Sequence, residues 1–152
     1  MMPKYKTWLY NPESARWVAA AYGGTMDSYL NTYIEVAKKY MVFTGRSRRT
    51  EYWTFTLINF AIAIILSVLG AILGSIAGIL GTIVSIVSML FFLAMLLPGI
   101  AAGIRRLHDT GRSGWWLLIA LVPFVGGLIL IYFLVLDSQP GSNQYGPNPK
   151  EA

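Results

Sequence analysis

"YWTFTLINFAIAIILSVLGAILGSIAGILGTIVSIVSMLFFLAMLLPGIAAGI" runs from Tyr52 to Ile104 without a single Asp, Glu, Lys or Arg. One transmembrane helix needs about 20 apolar residues, and this run is about twice that length. It must therefore turn back on itself. The small-residue region from Gly74 to Gly81 carries no charge and is the natural place for the turn. This predicts spans at about 52–74 and 81–102, the second kinked near its end by Pro98-Gly99. A second uncharged run, Gly114 to Leu136, predicts a third span at about 115–136. Its Pro123 and Gly126-Gly127 allow the alternative of a re-entrant hairpin.

The remaining composition agrees with a membrane domain. Hydrophobic residues make up 55% of the 152 and charged residues 12%, against about 25% charged in an ordinary soluble domain. The first 25 residues hold no continuous apolar core, so insertion rests on the internal spans. They read as a poorly ordered extension before a single membrane domain at 26–136, followed by a polar Pro/Gly/Asn tail at 137–152. There is no cysteine, which excludes disulfides and thiolate metal sites. With one histidine no metal ligand set is complete, and no cofactor motif is present.

Ahead of the first span, "YLNTYIEVAKKYMVF" (Tyr29 to Phe43) predicts an amphipathic helix, capped by Asp27 or Ser28. Leu30, Tyr33, Ile34, Ala37, Tyr40 and Met41 form one apolar stripe. Such a helix lies in the membrane interface or packs on the rest of the protein.

The net charge of +5 does not indicate nucleic acid, because the basic residues flank the spans. Lys38, Lys39, Arg46, Arg48 and Arg49 precede the first span; Arg105, Arg106 and Arg112 follow the second; the first hairpin has none. The positive-inside rule then places the N-terminal side in the cytoplasm, and three crossings put the tail outside.

The motif "TGRS" occurs twice, at Thr44–Ser47 before Tyr52-Trp53 and at Thr110–Ser113 before Trp115-Trp116. Glycine permits a tight turn, arginine reaches lipid phosphates, and the aromatics anchor at headgroup level. Arg46, Arg48, Arg49, Arg105, Arg106, His108 and Arg112 therefore form a candidate anion or lipid-headgroup site, with Tyr52, Trp53, Trp115 and Trp116 as interfacial anchors. The plainer reading is that these arginines only set topology. His108-Asp109 invites comparison with a catalytic relay, but sequence neighbours on a helix point apart. A pairing of Asp109 with Arg105, four residues earlier, or a cap before the third span accounts for Asp109 more simply. Gly70, Gly74 and Gly78 are spaced for close helix packing or mark the turn.

"FTGRSRRTEYW" (Phe43–Trp53), "RRLHDTGRSGWW" (Arg105–Trp116) and "PGSNQYGPNP" (Pro140–Pro149) together resemble the domain of unknown function 805 family, small bacterial inner-membrane proteins of the YhaH/YhaI type. The resemblance covers about Tyr29 to Pro149 and implies a multi-pass protein of the bacterial inner membrane. It implies no activity. The residues themselves predict an all-α protein that is not an enzyme. It binds anionic membrane lipid headgroups or a protein partner through a cytoplasmic Arg/Trp face, with a homo-oligomer as a further expected partnership. The alternatives are a subunit of a small oligomeric channel or transporter, and a membrane enzyme using His108 and Asp109.

Overall fold

A computed structural model describes residues 26–151; the N-terminal extension read from the sequence lies outside the described residues. The chain divides after Asn31, and the architecture below is that of the unit from Thr32 onward. Among the described residues there are four α-helices, α1 (Met26–Lys38), α2 (Arg49–Ile76), α3 (Gly78–Asp109) and α4 (Gly126–Val135), with a 3-10 helix at Gly114–Leu121. Among the described residues there is no β-strand, only an isolated bridge between Asn143 and Gly146.

The long uncharged run folds as two helices of 28 and 32 residues, about 42 and 48 Å long. A hydrocarbon core is about 30 Å thick, so both are long and apolar enough to cross it. The turn between them is a single extended residue, Ala77. Such a sharp reversal brings the backbones together, and glycine permits the approach. A Cβ on Gly81 would sit 2.7 Å from the Gly74 Cα and 3.3 Å from the Gly70 carbonyl oxygen. Gly78 faces open space and opens α3 directly after Ala77, so it marks the turn, while the glycines in close packing are Gly70, Gly74 and Gly81.

Three hydroxyls of α3 are satisfied locally. Thr82, Ser85 and Ser88 each donate to the carbonyl four residues earlier, at 3.1, 2.9 and 2.8 Å. In hydrocarbon this removes the penalty of an unpaired polar group.

Residues 115–136 do not form a third long helix. Pro123 has no N–H to donate, and the chain breaks around Phe124, which takes a left-handed φ of 66°. The segment folds into the 3-10 helix and the 10-residue α4, packed against each other. At the reversal a Cβ on Gly126 would overlap the Ile119 carbonyl oxygen. The α4 end returns to where the 3-10 helix started: Trp53 Nε1 donates to the Leu134 carbonyl (3.3 Å) and Arg106 Nε donates to the same oxygen (3.0 Å). Of the two sequence readings, the geometry is that of the hairpin. Residues 137–151 lie beside the arginines: Arg46 donates to the Gln139 and Gly141 carbonyls, and Asn143 Nδ2 donates to the His108 carbonyl (2.9 Å).

The predicted N-terminal helix exists but ends at Lys38, so Tyr40 and Met41 fall beyond it. Tyr33, Val36 and Ala37 pack on Phe55, Tyr52, Met95 and Ala102. The Tyr33 ring stacks on Phe55 at 5.1 Å and its hydroxyl donates to Asn59 Oδ1 (3.3 Å).

Candidate functional site

The polar chemistry gathers at the end of α3. Both "TGRS" motifs make the same turn there: Gly45 has φ 81° and Gly111 φ 76°, the left-handed region where glycine carries no steric cost. The two arginines that follow diverge. Arg46 turns inward and Arg112 lies over the Phe133 ring, 4.1 Å from its centre.

Asp109 is the centre of the cluster and is fully buried. Its Oδ1 accepts from Arg46 Nε (2.9 Å). Its Oδ2 accepts from Arg106 Nη1 and from Ser138 Oγ (2.6 Å). Asp109 therefore pairs with Arg106 and Arg46, not with Arg105. Spacing along the helix does not choose between them, since positions three and four apart are both neighbours of 109; the other acceptors within reach do. Positions 106 and 109 share the face turned toward α4, whereas Arg105 points to the 39–42 turn and donates to the Lys39 carbonyl (2.9 Å) and that of Val42.

Two buried guanidinium groups against one carboxylate leave one positive charge over. Backbone carbonyls disperse it. Arg46 donates to Gly141 O (2.8 Å), Gly146 O (3.3 Å) and Gln139 O (2.6 Å), all in the tail. Arg106 donates to Leu134 O and Leu136 O at the end of α4. The last carbonyls of a helix lack intrahelical partners and carry partial negative charge. Arg106, with Trp53 and with Arg49 on Val135 O (3.4 Å), supplies donors to these last carbonyls.

His108 is buried too. Its Nδ1 lies 3.2 Å from the Gly45 carbonyl, and its ring is covered by Tyr145, with centroids 3.7 Å apart and planes within 1°. No hydrogen bond joins it to the Asp109 carboxylate, whose acceptors are held by Arg46, Arg106 and Ser138. The relay considered from the sequence is not assembled. Among the described residues no group of His, Asp and Glu is placed to hold a metal ion.

Of the seven candidate site residues, Arg46, Arg105, Arg106 and His108 are thus brought together but turned inward. Arg48 and Arg49 are exposed and Arg112 is half-buried. Among the anchors, Trp115 and Trp116 are exposed, while Tyr52 and Trp53 are partly covered. Sequence reasoning missed the tail residues Ser138, Gln139, Asn143 and Tyr145. The available signal was a deficit: three arginines beside one aspartate need carbonyl acceptors, and a Pro/Gly/Asn-rich tail offers them without helical pairing.

Two long apolar helices, a third apolar segment folded back to one end, and a polar cap at that end define an all-helical membrane protein. The chain belongs to the family described as "Protein of unknown function (DUF805)", whose profile matches residues 40–147. It is similar to "Inner membrane protein YhaI" of Escherichia coli strain K12, 49% identical over 118 residues, 78% of this chain and 94% of the relative. It is similar also to "Inner membrane protein YhaH" of the same strain, 44% identical over 121 residues, 80% and 98% of the two chains. A more distant relative, "Uncharacterized protein YiiR", is 28% identical over 134 residues, 72% and 86% of the two chains. No solved structure matches.

Proposed function

We propose that this is a two-crossing inner-membrane protein with a re-entrant third segment, which binds anionic lipid headgroups in the cytoplasmic leaflet without catalysing a reaction. The carrying observation is how the arginines divide. Arg46, Arg105 and Arg106 have their donors engaged by internal acceptors, as given above. Arg48 and Arg49 are exposed, Arg112 is half-buried with one donor on the Thr110 carbonyl (3.2 Å), and each stands a few positions before Trp53 or Trp115-Trp116 in the chain. Cations at the rim with aromatics below them match the charge and polarity gradient of an anionic leaflet.

The topology follows from the same end. Every lysine and arginine from Lys38 to Lys150 lies in the 38–49 segment, the α3 end, the following loop or the tail, and none is near Ala77. The positive-inside rule then puts this whole cap in the cytoplasm. A protein partner would meet the same rim. A channel or transporter finds less support, because the apolar lengths of α2 and α3 carry no ionisable group.

The test is lipid retention. Protein in mild detergent is titrated with phosphatidylglycerol or phosphatidylcholine and bound lipid is counted by native mass spectrometry. Phosphatidylglycerol is retained preferentially, and the Arg49→Gln, Arg112→Gln double variant loses that preference. Equal retention of both lipids by the parent protein overturns the reading.

A further inference from the structure

A groove of about 380 Å³ lies between α2, α3 and the 3-10 helix and is open along one side. Its walls include Tyr52, Thr56 and Asn59 from α2, Met95 and Gly99 from α3, and Leu117. Gly103 lets Leu117 close against α3: a Cβ there would lie 3.0 Å from Leu117 Cδ1 and 4.0 Å from Tyr52 Cε2.

The polar side chains of the groove are already engaged. Asn59 Nδ2 donates to Phe55 O (2.8 Å) and its Oδ1 accepts from Tyr33. The Tyr52 phenol lies near the Thr56 hydroxyl. A polar ligand would find little to bond here, and a hydrocarbon chain would lose nothing. The dimensions fit one leaflet. Tyr52 to Asn59 rises about 10 Å and Phe92 to Ile100 about 12 Å, against about 15 Å for half of a hydrocarbon core. Arg48 stands one turn above, and the Tyr52 N–H donates to its carbonyl (3.2 Å). Its guanidinium is exposed and has no hydrogen bond or ion pair among the described residues.

We infer that this groove is a binding site for one phospholipid of the surrounding leaflet, with an acyl chain along Tyr52–Asn59 and Gly99 and the phosphate on Arg48. The inference rests on the headgroup reading above for its leaflet and deepens it by naming a chain site. The charge complementarity is local: a free guanidinium sits one turn above an apolar slot, where a phosphate lies above its own acyl chain.

The probe is phosphatidylglycerol carrying a photoreactive diazirine in its acyl chain, incorporated into nanodiscs with the full-length protein. Labelling concentrates on the peptide containing Met95 and Gly99 and saturates near one lipid per protein. Gly99→Leu fills the slot and abolishes this labelling. A Cβ at Gly99 meets only Phe55 Cε1 at 4.0 Å, so a side chain can begin there without pressing on the backbone. Arg48→Gln, at an exposed position, weakens the labelling about tenfold through the loss of one charge-assisted contact. Unsaturable labelling spread evenly over the lipid-facing residues of α2 and α3 overturns the site, as does unchanged labelling in Gly99→Leu. The two readings fail separately: equal retention of phosphatidylglycerol and phosphatidylcholine by the parent protein, with saturable groove labelling intact, sinks only the headgroup reading.

Discussion

Arg46 and Asp109, 63 positions apart, are joined at 2.9 Å with both side chains almost fully buried. This bond ties the turn before α2 to the end of α3, and Arg46 then reaches the tail carbonyls. One guanidinium thus holds three chain segments. Removing one partner of a buried pair leaves an uncompensated charge and costs about 3–5 kcal/mol. Asp109→Ala is expected to lower the melting temperature in detergent and to expose the tail to protease. The same melting temperature as the parent protein would show that the cluster is not closed in solution.

The folded-back third segment makes a topological prediction. The protein has no cysteine, so Ser75→Cys, Ser113→Cys and Ser142→Cys each introduce one unique thiol. In intact cells a membrane-impermeant maleimide should label Ser75→Cys, next to the Ala77 turn, and neither of the others. Labelling of Ser142→Cys in intact cells would restore a third crossing.

Gly126 and Gly127 are neighbours with opposite expectations. A methyl group at 126 overlaps the Ile119 carbonyl, whereas at 127 nothing lies within 4 Å. Gly126→Ala should destabilise by about 1–3 kcal/mol or more, and Gly127→Ala by well under that. Thermal melts of the two variants side by side decide it; equal effects would refute the tight reversal.

The outer clasp of the tail carries a pH dependence. Lys150 bonds Asp137 and, with the Ser138 N–H, holds its carboxyl below the usual carboxylate range. A folded pKa below the unfolded one stabilises above the unfolded value of about 3.9 and is lost as pH falls through the folded value. Both side chains are largely exposed, so salt screens the effect. Limited proteolysis of the tail should quicken below about pH 4, and Asp137→Asn should remove that step. A parent protein whose tail cleavage is flat with pH would contradict the clasp.

Much of the fold was legible in the residues. The uncharged run from Tyr52 to Ile104 demands two helices, because hydrocarbon leaves no other partner for backbone N–H and C=O groups. The two "TGRS" turns were legible as well, since glycine in that position signals a left-handed residue. The fate of Gly114–Leu136 was not. Its apolar length suits a crossing, and Pro123 with Gly126 permits but does not require a reversal. The reversal is settled by donors distant in sequence, Arg106 and Trp53, which supply the α4 carbonyls with partners.

The arginine cluster shows the same division. Sequence alone determined that many cations stand beside the spans, because local charge counts need no third dimension. It assigned Asp109 to Arg105 by spacing along the helix. Only the tertiary structure decided that Arg46, Arg105 and Arg106 turn inward while Arg48 and Arg49 stay exposed and Arg112 lies half-buried over Phe133. A buried guanidinium needs acceptors on several sides, and here the tail and the end of α4 provide them. Those segments come together only when the chain has folded.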